Sequence, residues 1–213
     1  MSKEQVYVAK GKAPWFNSDW LDINKVISMN RSDSGTTVVC DDNITDMAYM
    51  FRDCSDLTAL DLSNFDTSNV TNMKFMFGDC SSLTALDLSN FDTSKVENMR
   101  HMFFCCASLT SLDLSNFNTS KVTNMSDMFT GCYNLISIDL SNFDTSNVAD
   151  MHSMFDGCKN LITIKGTIDM KSCKLYRDMF DRCPKLRDVK IKNPPVDFEK
   201  YSRLSKSQYT IVS

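Results

Sequence analysis

An α/β repeat architecture, a curved solenoid with parallel strands on its concave face and short helices on its convex face, is predicted by three features of this sequence. Leucine recurs as Leu57, Leu83, Leu109, Leu135 and Leu161 every 26 residues, and once more, after 25, as Leu186. Each copy changes its apolar period halfway, from the alternation of a strand to the three- and four-residue spacing of a helix face. Six of the nine cysteines, Cys54, Cys80, Cys106, Cys132, Cys158 and Cys183, hold one position of the copy. A unit of this length cannot bury its apolar side alone, so a fixed period implies copies stacked over one continuous core.

Residues 1–43 break the register and are expected to form an N-terminal cap over the first apolar layer. Val6 to Ala9 can make a strand, Pro14-Trp15-Phe16 an aromatic plug, and Asn17 to Ile27 a helix that opens on capping residues. Thr36 to Cys40 read as a degenerate first strand. The repeats run over 44–192. In Leu57-Thr58-Ala59-Leu60-Asp61-Leu62, Leu60 and Leu62 share one face of a strand and Asp61 points the other way. Val70, Met73, Met76, Phe77 and Cys80 then form a stripe that predicts a helix of about three turns, preceded by Asp66-Thr67-Ser68-Asn69 as capping oxygens. The copy from Leu161 loses its phenylalanine and Asp-Thr-Ser, places Gly166 where the third leucine stood, and still restores the stripe with Cys173, Tyr176, Met179, Phe180 and Cys183. Asn193-Pro194-Pro195 stops the last strand. Residues 193–213 are expected to be the C-terminal cap, with Tyr201, Leu204, Tyr209 and Ile211 over the final layer.

The spacing Leu-x-x-Leu-x-Leu followed by Asn resembles a leucine-rich repeat. The longer run Met-Phe-x-x-Cys-x-x-Leu-x-x-Leu-Asp-Leu-Ser-Asn-Phe-Asp-Thr-Ser-x-Val-x-x-Met is similar to the 26-residue repeat of bacterial surface proteins, found in mycoplasma and listeria proteins and related to BspA-type leucine-rich repeats. The match covers residues 43 to about 192. What the resemblance implies is a right-handed leucine-rich-repeat solenoid, in proteins often displayed on cell surfaces as adhesins. Asn64, Asn90, Asn116 and Asn142 follow the last strand leucine by two residues, where ordinary leucine-rich repeats have three.

Charge is uneven along the chain: residues 44–165 carry 7 basic and 15 acidic side chains, and 166–213 carry 11 and 6. An acidic body disfavours nucleic acid as a partner, whereas the basic end suits an acidic protein or membrane surface, or is simply a solvated face. No stretch of about 18 apolar residues spans a membrane, and the N-terminus lacks a charged-then-apolar secretory pattern. Nine cysteines without a paired framework read as buried thiols, which suits a cytoplasmic location, with the cell surface as the alternative that the resemblance suggests. No cofactor or metal is expected, since no Cys-x-x-Cys pairs, His-Glu-x-x-His or glycine-rich phosphate loop occurs.

His101 and His152 read as surface histidines without a nucleophile beside them, and no catalytic residue is assigned. Two surfaces remain for binding. The concave one carries a column, Asp61, Asp87, Asp113 and Asp139, continued by Lys165 and Lys190, which is either a hydrated polar strand face or a groove for a cation or basic partner. The convex one is where copies differ most, and there Phe75, His101, Phe104 and Tyr133 are expected to form an aromatic patch. The expected function is a non-enzymatic protein-binding module, a bacterial or phage adhesin or binding protein. The alternative is a structural spacer within a larger assembly, for which uniform copies would suffice.

Overall fold

The computed structural model describes residues 5–10, 26–32, 35–40, 44–62 and 65–213. Of three N-terminal strands, β1 (Gln5–Lys10), β2 (Val26–Ser32) and β3 (Gly35–Cys40), the last lies between the other two and pairs antiparallel with each. β1 also pairs antiparallel with β4 (Ala59–Asp61), the strand of the first full copy, so the N-terminal sheet seals that copy's open edge. The expected strands at Val6–Ala9 and Thr36–Cys40 are thus present. Val26 and Ile27, expected to end a helix, belong to β2, while Pro14-Trp15-Phe16 and residues 17–25 lie outside the described residues.

Further along the chain the sheets are parallel and the strands short. β5 (Ser137–Asp139) pairs with β6 (Thr163–Lys165), and β7 (Thr167–Asp169), β8 (Val189–Lys192) and β9 (Tyr209–Val212) form a second sheet in that order. The copies that begin at Leu83 and Leu109 were expected to contribute strands and instead run as turns and extended loop.

The expected convex helices are not formed. Among the described residues the one α-helix is α1 (Phe198–Ser202). Where a helix would close bonds to the residue four back, the segment 73–80 splits its amides into two sets. The N–H groups of Met73, Phe75, Phe77 and Asp79 donate to the carbonyls of Asn98, Arg100, Met102 and Phe104 in the next copy, at 2.7–2.9 Å; those of Met76, Gly78 and Cys80 donate three residues back. The chain reaches this zigzag by taking positive φ every fourth residue, as at Phe75 (55°) and Asp79 (63°), and His101 (58°) and Cys105 (54°) repeat it. Left-handed backbone costs a non-glycine residue about 1 kcal/mol or more, and here each such residue brings an inter-copy hydrogen bond with it. The Met-Phe-Cys stripe still points inward, so the apolar spacing marked the buried face correctly and the backbone conformation wrongly.

Every repeated core position becomes a column. Val70, Val96, Val122 and Val148 are fully buried, as are Met73, Met99, Met125 and Met151. Phe51, Phe77, Phe103, Phe129, Phe155 and Phe180 stack ring on ring at 5.3–5.7 Å with planes within 10°. The cysteines Cys80, Cys106, Cys132, Cys158 and Cys183 donate their thiols to the phenylalanine carbonyl of the preceding copy at 2.9–3.2 Å. All eight cysteines with described side chains are free, and burial pushes the Cys132 thiol up to about 12.

Polar side chains tie the copies as regularly as the core does. Thr67, Thr93, Thr119 and Thr145 are buried, and each hydroxyl donates to a carbonyl of the next copy while accepting the N–H of the same residue, Asp92 for Thr67 and Asn118 for Thr93. Asn90, Asn116 and Asn142 each donate to two carbonyls of the preceding copy at 2.7–2.9 Å. An asparagine ladder therefore forms despite the shortened spacing. Gly166, at φ 93°, lies against the backbone of Leu140, where an added Cβ would come within 2.7 Å of the carbonyl carbon and oxygen.

The tail does more than cover the last layer. Tyr201 and Ser202 present carbonyls to the amides of Asp178 and Phe180, Arg203 takes the left-handed turn at φ 68°, and β9 extends the parallel sheet. It continues the stack as a shortened copy, with Phe198 and Leu204 buried and Ile211 exposed.

Candidate functional site

On the side expected to be convex, position 19 of successive copies, counted from the opening leucine, is occupied by Tyr49, Phe75, His101, Asp127 and Ser153, all with positive φ. The left-handed turn aims these side chains along the stack. Tyr49 lies on Phe75 at 5.3 Å, Phe75 lies on His101 at 4.0 Å, and Phe104 meets both from the side at 5.9 and 5.1 Å. Three of the four expected patch residues are thus together. Tyr133 is not with them; it stands 42% exposed, with the Lys159 ammonium 4.8 Å from its ring. Tyr49 belongs to the group and was not singled out from sequence, although its place one period before Phe75 was the available signal.

Cations roof the group. The Arg52 guanidinium lies 4.6 Å over the Phe75 ring and 5.6 Å over Tyr49, and the Lys74 ammonium lies 5.3 Å from Tyr49. Phe75 and Phe104 are half-buried, so the surface here is aromatic beneath and cationic above.

His101 is not a surface residue, being only 9% exposed. Its Nδ1 accepts the Nε–H of Arg100 at 3.0 Å, which places the ring proton on Nε2, 3.3 Å from the Asp127 carboxylate. Burial, with the positive charge of Arg100 next in weight, lowers the ring from 6.5 to about 3. Asp127 also receives His152 Nε2 at 2.9 Å, and His152 Nδ1 sits 2.7 Å from Asp150. Burial is the main force raising the Asp127 carboxyl above the usual range. The two histidines, separated in sequence, are therefore bridged by one carboxylate. All four ring nitrogens are engaged within the fold, which leaves none aimed at a substrate proton.

The aspartate column has a structural occupation. The Oδ1 atoms of Asp87, Asp113 and Asp139 accept the N–H of Ser89, Ser115 and Ser141 at 2.9–3.0 Å, each closing an Asx turn. Hydrogen bonds from the Ser115 N–H and hydroxyl hold the Asp113 carboxyl below its usual range, those from the Ser141 hydroxyl and N–H do the same for Asp139, and repulsion from neighbouring aspartates is a smaller, opposite influence on Asp113. Lys165 reaches Asp139 at 3.6 Å. Asp61 ends β4, opposite Val8 of β1 rather than beside a preceding copy. The Asp92 and Asp144 side chains close Asx turns too, onto Ser94 and Ser146, in place of the helix caps expected at those positions.

Among the described residues no group of three or more His, Cys, Asp or Glu side chains is placed to hold a metal ion, and no helix is long and apolar enough to cross a membrane. A family model described as "Mycoplasma protein of unknown function, DUF285" matches residues 23–112 and, in a second overlapping placement, residues 84–193. No curated protein and no solved structure matches the chain.

Proposed function

This chain belongs to the mycoplasma repeat family DUF285, and we propose that it is a non-enzymatic protein-binding module, a bacterial or phage adhesin or binding protein. In this reading the stacked copies form a right-handed solenoid of the BspA-like, leucine-rich-repeat kind. The observation that carries the reading is the contrast between inside and outside. The Val, Met, Phe, Thr and Cys columns repeat almost without change, whereas position 19 runs Tyr49, Phe75, His101, Asp127, Ser153. A spacer needs only the columns. Variation gathered on one convex strip, with stacked rings under Arg52 and Lys74, gives a surface of the composition that anchors protein partners, rich in aromatic and arginine side chains.

The aspartate face is the weaker candidate, since its carboxylates already serve the turns that bear them. A cytoplasmic location fits the free thiols; display on the cell surface is the alternative, and burial of the cysteine column protects it there as well. The test is affinity capture with the intact chain from cell extract and from intact cell surfaces, repeated with Phe75→Ala plus Phe104→Ala and, separately, with Asp87→Asn plus Asp113→Asn. The expected result is a protein retained by the parent and the aspartate variant and lost with the aromatic variant. Capture that is identical for all three, or none at all, favours the spacer.

A further inference from the structure

A groove of about 890 Å³ crosses the C-terminal end of the stack, away from the aromatic strip. Its rim carries Lys159, Arg182, Lys185, Arg187 and Arg203 against a single acidic residue, Asp188, and its floor is formed by Phe180, Cys183 and Leu186. Two of the five cations are committed inside the fold, Arg182 to Asp156 and Arg203 to Asp178, each with Nε–H···O at 2.8–2.9 Å. The other three have no carboxylate partner among the described residues. Lys185 donates to the amide oxygen of Asn160 at 2.7 Å, Lys159 rests on the Tyr133 ring, and Arg187 donates only a long bond to a backbone carbonyl at 3.4 Å. Neutral partners hold these side chains in place without cancelling their charge.

We propose that this groove binds an extended acidic segment of a partner protein, with Lys159, Lys185 and Arg187 as the carboxylate-binding groups. The cations come from successive layers: Lys159 from one copy, Lys185 and Arg187 from the next, and Arg203 from the tail. Layers of a parallel stack lie about 4.8 Å apart, and an extended peptide presents every second side chain to one face, about 6.6 Å apart. The two spacings differ by about 1.8 Å, which the flexible lysine and arginine stems take up, so carboxylates laid along the stack reach cations of successive layers. The Ser205 and Ser207 hydroxyls and the Gln208 amide on the same rim bond one another and the Leu186 carbonyl, which fixes that wall of the groove.

The test is fluorescence anisotropy of a labelled octaglutamate peptide with the full chain at low salt. Three variants are compared: Lys185→Glu plus Arg187→Glu in the groove, Lys165→Glu plus Lys190→Glu on the strand face as an equal change of net charge, and Phe75→Ala plus Phe104→Ala at the aromatic strip. The expected result is saturable binding that weakens with added salt, falls at least tenfold in the groove variant, and changes less than threefold in the other two. Equal losses in the two charge-reversed variants, or an unaffected groove variant, would overturn the proposal. So would binding of the parent to phosphatidylserine vesicles with none to the peptide. Because the aromatic variant has its own arm, failure here is distinguishable from failure of the convex strip as a binding surface.

Discussion

His101 concentrates the physics of its surroundings in one ring. Burial, and next to it the positive charge of Arg100, hold it neutral, so its proton affinity falls from 6.5 to about 3 on folding. Between those values the unfolded chain takes up a proton that the folded chain refuses, and stability rises with pH across the window, complete above about pH 6.5. His101→Phe keeps a ring on Phe75 and removes the titration. We expect the parent's urea midpoint to drop between about pH 7 and pH 5 and the variant's to drop less; parallel declines would mean that other groups set the acid sensitivity. Thr93 makes a second case, because its buried hydroxyl both donates to and accepts from the backbone of Asn118. Thr93→Val keeps the shape and takes the hydroxyl partner from the part-buried Asn118 amide, which should cost about 1 kcal/mol in urea unfolding, whereas exposed Ser115→Ala should change the midpoint little. Equal costs would show that the threonine column is not what ties the copies. Both histidines were visible in the sequence, but the carboxylate that joins them was not, because Asp127 and His152 meet only through a left-handed turn that no apolar spacing announces.

At the level of the element, each copy trades a helix for a ladder. The stripe Val96, Met99, Met102, Phe103, Cys106 has the spacing of a helix face, and each of these residues is indeed buried. The same inward set arises when the backbone alternates between right- and left-handed turns, because side chains return to one side every three or four residues in both. What separates the two is the destination of the amides, and that is decided by the neighbouring copy, not by the stripe itself. Asp92-Thr93-Ser94 carried a readable hint: its members close an Asx turn and a reciprocal threonine bond to the next copy instead of capping a helix. The leucine register and the cysteine column were legible for the opposite reason, since burial and repetition alone specify them. Far-UV circular dichroism should therefore show, from the described residues, little helix beyond the five of α1; a helical signal large enough to need one helix per copy would undo the ladder.

For the molecule as a whole, the copy is the unit of cohesion and its outer side is free to vary. Columns of identical side chains bind each layer to the next, so stability is approximately a sum over layers and their interfaces, and any one middle layer can stand for another. The binding reading depends on that division, since a uniform interior is what lets Phe75, Phe104 and Lys185 differ from their counterparts without penalty to the stack. The most direct measurement is the removal of one whole copy, residues 109–134, set beside the removal of half a copy, residues 109–121, with urea unfolding followed by fluorescence. The 26-residue deletion rejoins Ser108 to Leu135 in register and should leave a soluble protein with one cooperative transition and every column intact but one layer shorter. The 13-residue deletion should abolish the transition. If the whole-copy deletion also fails to fold, or if both deletions unfold alike, the layers are not interchangeable and the account of this protein as a stack of equivalent copies is wrong.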